Sequence, residues 1–493
     1  MFGLYPAEDV RRAEDRLLAR VPSGSLMHIA SRGLATHIIR LLADVRGGLV
    51  GARMVLLVGS GNNGGDALFA GAYLIGRGAD VMAVATGEGR HQEGERAFLR
   101  AGGKWIDRLE ALEAMAKADV IVDGIVGIGA HGGLRELART LVERANTLDA
   151  LRVAVDLPSG IDVDSGRVHG EAFHADMTIT FGCFKPGLFL HPARDDCGAV
   201  HLVDIGLSEE LPDPSMRAVE VFDVAELLRD PDSSAHKYRR GVVGIAAGGS
   251  AYPGAAVLAA GAARYSGVGM VRFLDRGDGV ARSVVTAFPD VVADPGDPRA
   301  DSRVRAWGCG PGFTPGDTET VAMVLEQPTP IVLDAGALQC LSNSEHLQNR
   351  VRSRADRGLT TILTPHAGEY AALFGPDRDP SSAALDWGVI VVRKGPSTTI
   401  TAPDGSVFVD QMSTSDLACA GSGDVLTGLL AGMVAANPDD DPAEVAAAAV
   451  WLHGLSGRLA SSGERPITAL DIGSAIPQAI AVARVGDLTK LRA

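Results

Sequence analysis

The stretch that decides the fold of the first half is Gly59-Ser60-Gly61-Asn62-Asn63-Gly64-Gly65-Asp66. An apolar run at 54–58 precedes it and a helix-like run at 67–75 follows it. The order strand, glycine-rich loop, helix presents backbone N–H groups at a helix N-terminus, where an anion can bind. Four glycines in eight residues predict freedom in φ and close approach of a ligand. The alternative is a structural turn, which rarely needs two asparagines and an aspartate as well.

The segments around this stretch alternate between strands and helices. Two opening helices are predicted at 7–20 and 25–44. Strands are predicted at 54–58, 80–85, 120–122, 152–155, 177–180 and 200–203. The alternation predicts a mainly parallel sheet with helices on both faces, a Rossmann-like three-layer α/β/α domain. Ligands of such sheets bind beyond the carboxyl ends of the strands, where the polar loops 59–66, 123–133 and 156–162 lie.

A second alternating series follows a linker-like segment. Residues 208–223 contain two prolines and several acids with little apolar pattern, so they are the predicted linker. Strands follow at 241–246, 268–273, 304–307, 330–333, 361–363 and 388–392. Helices close the chain at 423–436, 443–461 and 467–485. The sequence therefore predicts two α/β domains, 1–215 and 216–493.

The bulk composition excludes several classes of function. The chain has 493 residues and a formal net charge of −15, and its densest basic cluster, 236–240, is short, so we expect no nucleic-acid partner. No apolar run approaches the roughly 20 residues that span a bilayer, and the N-terminus lacks an apolar signal core. The five cysteines have no paired spacing, which argues against a zinc site or a disulfide framework. We expect a cytoplasmic protein without a membrane partner.

The strongest chemical feature of the second half is Ala420-Gly421-Ser422-Gly423-Asp424-Val425-Leu426-Thr427-Gly428. Its glycines open a helix, so residues 421–423 can present N–H groups to a phosphoryl group whose charge the helix dipole favours. Asp424 would lie in the first turn, where a carboxylate can take a proton from an attacking hydroxyl. The alternative is that Asp424 only caps the helix.

Other segments of the second half fit a kinase-like site. Lys394-Gly395-Pro396-Ser397-Thr398 follows a predicted strand, where a lysine and small polar residues suit nucleotide phosphates. His366 opens another predicted helix, and a histidine there either contacts a substrate or is structural. The loop 309–313 is either a turn or a ligand-approach loop, and the segment 248–256 opens a helix that could lie against a ligand.

These motifs, in this order, resemble the bifunctional NAD(P)H-hydrate repair enzymes, in which a hydrate epimerase is fused to an ADP-dependent hydrate dehydratase. The resemblance covers nearly the whole chain. In the first half it rests on 59–66, 122–135, 155–162 and 181–192. In the second half it rests on 236–238, 248–256, 333–338, 364–369, 394–398 and 420–428. The joint occurrence is specific although each short motif alone is not, and it implies a ribokinase-like α/β fold for the second half.

The resemblance implies site residues in both halves. Hydrated NADH or NADPH would contact Asn62, Asn63, Gly64, Gly65, Asp66, Gly127, Ile128, Gly129, Ala130, His131, Gly132, Gly133 and Asp156. A potassium ion would bind Asn63, Asp123 and Ser159, which offer the oxygens that a hard cation takes. In the second half the hydrate would contact Ala256, Gly312, His366 and Asp424. ADP, with magnesium, would contact Lys394, Gly395, Pro396, Ser397, Thr398, Gly421, Ser422 and Gly423.

The chain departs from the family pattern at a few positions. Ile128 stands where a threonine hydroxyl is frequent, and Ala67 stands where glycine is usual. Gly336 cannot supply the carboxylate of an Asp-Ala-Asp-Ala-Leu pattern. Cys419 and Ser422 stand where threonines are common, and only the serine keeps the hydroxyl.

The implied reactions need one acid–base group in each half. We expect Asp156 to assist inversion at the hydroxyl-bearing ring carbon, and Asp424 to deprotonate that hydroxyl for phosphorylation by ADP. One alternative is a small-molecule kinase fused to a non-catalytic dinucleotide-binding module. Another is an NAD-dependent dehydrogenase, which the missing strict Gly-x-Gly-x-x-Gly pattern disfavours. Because homo-oligomers are common among such enzymes, we expect one here.

Overall fold

A computed structural model of the chain describes residues 1–129, 132–228, 236–300, 302–463 and 465–486. The chain divides into two compact units, Gly3–Met216 and Met1–Phe2 with Arg217–Ala493. A short strand, β1 (Phe2–Leu4), begins the chain. In the described ranges, no helix has both the length and the apolar character needed to cross a membrane.

The unit Gly3–Met216 is built on a seven-stranded sheet whose neighbouring strands all pair in parallel. The strands are β2 (Arg53–Val58), β3 (Asp80–Ala85), β4 (Lys104–Trp105), β5 (Val120–Gly124), β6 (Leu151–Val155), β7 (Met177–Phe181) and β8 (Ala199–Val203). Their order across the sheet is β4-β3-β2-β5-β6-β7-β8. The order reverses between β2 and β5, and at such a switch point an open α/β sheet leaves a crevice for a ligand.

Helices cover both faces of this sheet. They are α1 (Ala7–Leu18), α2 (Ser25–Arg46), α3 (Asn62–Ile75), α4 (Gln92–Arg100), α5 (Arg108–Met115) and α6 (Glu136–Asn146). Along β2, Met54 and Leu56 join the core that includes α2 and α3. Val55 and Leu57 join the core that includes α5 and α6. The two-residue period of a strand thus produces the predicted three-layer arrangement, because successive side chains face opposite helical layers.

The second unit contains an eleven-stranded sheet. After β1 its strands are β9 (Met216–Ala218), β10 (Val242–Ala246), β11 (Met270–Asp275), β12 (Val292–Pro295), β13 (Ala306–Cys309), β14 (Ile331–Leu333), β15 (Thr361–Leu363), β16 (Ile390–Arg393), β17 (Thr399–Thr401) and β18 (Val407–Val409). The order is β1-β9-β18-β17-β16-β15-β14-β13-β10-β11-β12. The strands from β10 to β16 pair in parallel, whereas β17 is antiparallel to β16 and β18.

Helices also cover this second sheet on both faces. They are α7 (Val221–Leu227), α8 (Pro253–Ala263), α9 (Val280–Ala287), α10 (Thr318–Leu325), α11 (Gly336–Ser342), α12 (Glu345–Asp356), α13 (Ala367–Phe374), α14 (Pro380–Trp387), α15 (Ser422–Ala436), α16 (Pro442–Ala460) and α17 (Ala469–Val485). Val243 and Ile245 of β10 join the core that includes α8, α15 and α16. Val242 and Ala246 join the core that includes α10, α11 and α12. The predicted α/β class is therefore confirmed for both halves.

Some details differ from the sequence prediction. The helix α3 begins at Asn62 rather than near Ala67, so most of the polar stretch belongs to the helix itself. The predicted linker 208–223 contains β9 and the first residues of α7, and it is not an unstructured connection. The sequence prediction also does not include β4, β12, β17 and β18, which have two to four residues each.

Candidate active sites

The first candidate site lies where β2 and β5 end. The glycines there allow close packing rather than the unusual φ that the sequence predicted, since neither Gly59 nor Gly64 has a positive φ. A Cβ on Gly59 would collide with the carbonyl oxygen of Ile125, and a Cβ on Gly64 would collide with the carbonyl oxygen of Gly59. A Cβ on Gly65 would press on the ring of His91. Glycine at these positions lets the first turn of α3 lie against the loops that follow β2 and β5.

A cavity of 230 Å³ opens beside the first turn of α3, and Asn62, Asp66 and Glu14 line part of it. Asp66 is buried and accepts a hydrogen bond from the Ser31 hydroxyl at 3.2 Å. Burial raises the pKa of Asp66 well above its usual value, and the nearby Asp156 and Glu14 act in the same direction. Ionisation of this carboxyl group is therefore less favourable than it would be in water.

Asp156 lies directly after β6 and is held by a buried lysine. Its φ is +65°, a left-handed conformation that aspartate tolerates better than most residues. Its Oδ1 accepts hydrogen bonds from Lys185 Nζ at 2.6 Å, Thr180 Oγ1 at 3.1 Å and the Phe181 N–H at 3.2 Å. Lys185 Nζ also donates to Thr180 Oγ1 and to the carbonyl oxygen of Phe181, each at 2.9 Å. These contacts fix the position of the Asp156 carboxylate.

Near the ends of β5 and β6, Asp123 bonds Ser159, and Asn63 bonds the backbone of Val126 and Val155. Asp123 accepts hydrogen bonds from the Ser159 hydroxyl at 2.8 Å and from the Ser159 N–H at 2.7 Å. Asn63 Nδ2 donates to the carbonyl oxygens of Val126 at 2.7 Å and Val155 at 2.9 Å. Asp123 is fully buried without an ion-pair partner among the described residues, and burial raises its pKa to about 6. A bound cation would stabilise the ionised form of this buried carboxyl group.

The loop after β5 carries the remaining predicted contacts of the first half. A Cβ on Gly127 would lie 3.5 Å from the side chain of Asn63. Ile128 packs against the core that includes α1 and α2, which explains an apolar residue there, and its carbonyl oxygen accepts a hydrogen bond from Arg11 at 2.7 Å. Three further predicted residues are exposed on this loop: Gly129, Gly132 and Gly133. Two predicted residues lie outside the described residues: Ala130 and His131.

The second candidate site begins at the first turn of α15. Gly421 precedes the helix with a φ of +90°, and a Cβ there would lie 2.5 Å from the side chain of Leu258, so glycine alone fits. The helix begins at Ser422, one residue before the predicted start. The first N–H groups of a helix lack partners within the helix and can face an anion. Here the Ser422 N–H also donates to the carbonyl oxygen of Cys419 at 3.3 Å.

His453 of α16 supports this turn from inside the protein. Its Nε2 lies 3.0 Å from the carbonyl oxygen of Ser422 and 3.2 Å from the Ser422 hydroxyl. Burial lowers the pKa of His453 to about 4, so the imidazole is neutral near pH 7. Because a carbonyl oxygen only accepts hydrogen bonds, Nε2 must carry the hydrogen of this contact.

Asp424 lines a cavity of 470 Å³ together with Gly312, Ala335 and Gly421. Burial raises the pKa of Asp424 to about 6, and the neighbouring Asp334 raises it as well, while Lys394 opposes the shift. A carboxylate with a pKa near 6 is ionised at neutral pH and is still basic enough to accept a proton during a reaction.

Asp334, Lys394 and Thr427 form a cluster beneath this cavity. Asp334 is 1% exposed, and its Oδ1 accepts a hydrogen bond from Lys394 Nζ at 2.6 Å. Its Oδ2 accepts a hydrogen bond from Thr427 Oγ1 at 2.6 Å. Lys394, which the sequence predicts to contact nucleotide phosphates, is therefore also the partner of a buried carboxylate.

Other predicted residues of the second half occupy varied positions. Ala256 is fully buried, and Ala255 lines the cavity in its place. His366 is exposed and begins α13, where its Nδ1 accepts hydrogen bonds from the N–H groups of Gly368 at 3.0 Å and Glu369 at 3.3 Å. This capping contact is a structural role, and His366 does not line the cavity. Four residues predicted to bind the nucleotide follow β16: Gly395, Pro396, Ser397 and Thr398.

Four residues at these sites have no role in the interpretation of the sequence: Glu14, Lys185, Asp334 and His453. Lys185 and Asp334 lie within motifs that carry the family resemblance, and their place in those motifs could have indicated that they belong to the sites. Glu14 and His453 lie on helices remote in sequence from the motifs that they approach. No local pattern identifies such residues, because only the packing of the helices brings them to the sites.

Comparison with known proteins gives matches for both halves. The family model described as YjeF-related protein N-terminus matches residues 23–187, and the one described as NAD(P)H-hydrate dehydratase matches residues 243–478. The chain is 40% identical to the bifunctional NAD(P)H-hydrate repair enzyme Nnr of Mycobacterium leprae, over 98% of this chain and 100% of that one. It is 41% identical to the enzyme of the same name from Mycobacterium tuberculosis, over 88% and 89% of the two chains.

A solved structure also resembles the second half. It is the ADP/ATP-dependent NAD(P)H-hydrate dehydratase of Bacillus subtilis, co-crystallised with ATP and Mg²⁺. The two chains are 26% identical, with a TM-score of 0.47. The match covers 53% of this chain and 96% of the Bacillus subtilis chain.

Proposed function

Because the chain belongs to the family of bifunctional NAD(P)H-hydrate repair enzymes, we propose how its residues divide the two reactions of that family. The protein interconverts the R and S hydrates of NADH and NADPH, and it dehydrates the S hydrate with ADP, releasing AMP and phosphate. We assign epimerisation to a domain of residues 1–215 and dehydration to a domain of residues 216–493. The two family matches, at 23–187 and 243–478, support this division.

In the epimerase site, Asp156 is the proposed acid–base residue. The hydrate carries a hydroxyl on the ring carbon next to nitrogen, so the configuration can invert through an iminium or a ring-opened form. A carboxylate that exchanges the hydroxyl proton accelerates such a step by about 10²–10⁴-fold. The contact with Lys185 Nζ supports this role because it holds the carboxylate in one orientation. We assign binding of the dinucleotide to the beginning of α3, including Asn62 and Asp66, and to the loop 127–133.

We propose a potassium ion at Asn63, Asp123 and Ser159. The support is the fully buried Asp123 carboxyl, which lacks a cationic partner in the described part of the chain. Asn63 and Ser159 add amide, hydroxyl and carbonyl oxygens of the kind that hard cations bind. When bound, the ion supplies the positive charge that this buried carboxylate lacks.

In the dehydratase site, hydroxide is a poor leaving group and phosphorylation converts it into a good one. Asp424 takes the proton of the substrate hydroxyl, whose oxygen then forms a bond to the terminal phosphorus of ADP while AMP departs. The N–H groups of residues 421–423 stabilise the developing negative charge. The ring nitrogen then expels phosphate, and loss of a proton from the adjacent carbon restores the ring double bond.

The nucleotide phosphates are the proposed ligand of residues 421–423 and 394–398. Magnesium, when bound with the nucleotide, neutralises phosphate charge. This ion often keeps several waters and phosphate oxygens as ligands. Within the described ranges, no group of three or more His, Cys, Asp or Glu side chains could enclose a metal ion. We therefore assign magnesium to the phosphates and name no protein ligand for it.

The observation that carries the dehydratase assignment is the position of Asp424 in the first turn of α15, where it lines the cavity beside Gly421. The test is incubation of the purified protein with mixed hydrate epimers and either ADP or ATP. With ADP, we expect the absorbance of the reduced cofactor to recover, with one AMP and one phosphate formed per molecule restored. A stable phosphorylated product without recovery of the reduced cofactor would instead support a small-molecule kinase.

The repair function is expected in the compartment that contains the reduced cofactors. We therefore propose a cytoplasmic protein, and we propose a homo-oligomer by analogy with similar enzymes. Fractionation of the source cells tests the first statement. Light scattering of the purified protein tests the second, and a monomer mass at working concentration would contradict it.

A further inference from the structure

A carboxylate that does not line the cavity connects the elements of the dehydratase site. Asp334 follows β14, and both of its oxygens are occupied, one by Lys394 Nζ and one by Thr427 Oγ1, each at 2.6 Å. Lys394 follows β16 and Thr427 lies on α15. Asp334 therefore joins three separate elements of the fold, and its own side chain is buried, with 1% exposed, while that of Lys394 is 20% exposed.

Gly423 connects this cluster with the phosphoryl-binding turn. A Cβ on Gly423 would lie 3.2 Å from Lys394 Nζ and 3.7 Å from Asp334 Oδ2. Thr427 Oγ1, whose single hydrogen goes to the closer Asp334 Oδ2, also lies 3.1 Å from the carbonyl oxygen of Gly423. The ion pair thus lies against the backbone whose N–H groups would face a phosphoryl group, and any displacement of Asp334 would be transmitted to that turn.

The same cluster provides the charges that act on Asp424. Burial is the largest cause of the raised pKa of Asp424, the charge of Asp334 acts in the same direction, and the charge of Lys394 opposes both. The charge of Glu369, at the start of α13, favours the protonated form of Lys394 and so helps to raise its pKa. Charges shielded from water interact more strongly than exposed ones, so the buried Asp334 carboxylate is an effective neighbour.

We propose that Asp334 is a positioning residue of the dehydratase site, which anchors the first turns of α15 to Lys394 and sets the electrostatic environment in which Asp424 accepts a proton. The inference rests on the proposed role of Asp424 as the base. Asp334 itself does not line the cavity, whereas the next residue, Ala335, does so with a φ of +47°. Its action is therefore through Asp424 and the turn, not through contact with the substrate.

The test is the pH dependence of kcat/KM for dehydration, measured on the wild-type protein, on Asp334→Asn, on Lys394→Met and on the double variant. The quantity compared is the acidic limb of each profile, which is the pH range where kcat/KM falls as the pH decreases. Loss of the Asp334 charge leaves Lys394 facing Asp424, so we expect the acidic limb to move to lower pH by about one unit. Loss of the Lys394 charge should move the limb to higher pH. The double variant should return toward the wild-type position, because both charges are gone.

A matched control separates the positioning effect of Asp334 from the effect of its charge. Thr427→Val removes one hydrogen bond to Asp334 and keeps every charge, so it should lower kcat by up to about 10²-fold without moving the limb. Epimerisation by the same protein should be unchanged in all four variants, which reports that the chain is intact. If Asp334→Asn fails to fold, the difference in limb position between Lys394→Met and the double variant still isolates the effect of the Asp334 charge, and the double variant leaves no unpaired buried charge.

An acidic limb that stays in place in Asp334→Asn or Lys394→Met, with normal melting temperatures, would overturn the inference. In that case Asp334 would have a structural role only. A limb that persists in Asp424→Asn is a different result, since it would remove Asp424 as the base and with it the proposed dehydratase mechanism.

Discussion

Lys185 Nζ lies 2.6 Å from Asp156 Oδ1, and the two side chains are 1% and 11% exposed. Removing one partner of such a pair leaves a buried charge without compensation, which destabilises a protein by about 3–5 kcal/mol. Removing both charges together is often nearly neutral. The pair therefore allows the catalytic role of Asp156 to be separated from its effect on stability.

We predict that the double variant Asp156→Asn with Lys185→Met folds with a melting temperature close to that of the wild type. It should lose epimerisation by about 10²–10⁴-fold, because residue 156 no longer supplies a carboxylate to exchange the hydroxyl proton. Epimer interconversion measured by chromatography of the R and S hydrates checks the rate. Dehydration of the S hydrate should be unchanged, and near wild-type epimerisation in the folded double variant would exclude Asp156 as the acid–base residue.

Potassium should stabilise the protein through Asp123. A ligand that binds only the folded state adds about 2.7 kcal/mol at a concentration 100 times its dissociation constant. We therefore expect the melting temperature to rise with potassium chloride and to rise less with choline chloride at equal ionic strength. Asp123→Asn should abolish the difference between the two salts. An equal response of wild type and variant would rule out a cation at this carboxylate.

Dehydration should depend on the ionisation of Asp424, whose pKa is raised to about 6. The base must be ionised to accept a proton, so kcat/KM should be constant above this pKa. It should fall about tenfold for each pH unit below it. Asp424→Asn should reduce dehydration to a low rate without this limb, while epimerisation continues. A wild-type profile that is flat from pH 5 to pH 8 would contradict the assignment.

Gly336 offers a test of a departure from the family pattern. A Cβ at this position would collide with the carbonyl group of Phe313, so the missing carboxylate cannot simply be restored. We predict that Gly336→Asp and Gly336→Ala both lower the melting temperature, by an amount equivalent to about 1–3 kcal/mol. The alanine variant is the control for the added charge. A Gly336→Asp protein that melts like the wild type and dehydrates faster would contradict this explanation.

The sequence predicted the place in the fold of several residues that we assign to the two sites. The glycine-rich stretches placed Asp66 and Asp424 in first helical turns or next to them, and the strand-end motif placed Asp156 beyond β6. The sequence did not predict that the glycines at 59 and 64 are required by close packing, because the position of Ile125 is not visible in a local pattern. The sequence also left two roles open for His366. The structure shows a helix-capping contact, and contact with the hydrate stays a prediction.

Local pattern by itself determined the order of strands and helices, since the period of apolar residues and the position of glycines depend on neighbours along the chain. Only the tertiary structure decided which charges are paired. Lys185 and Asp156 are 29 residues apart, and Lys394 and Asp334 are 60 apart. Parallel strands bring their carboxyl ends to one edge of the sheet, so residues far apart in sequence become neighbours there. The chemistry of each site depends on those neighbours, because burial and nearby charge set the proton affinity of a carboxylate.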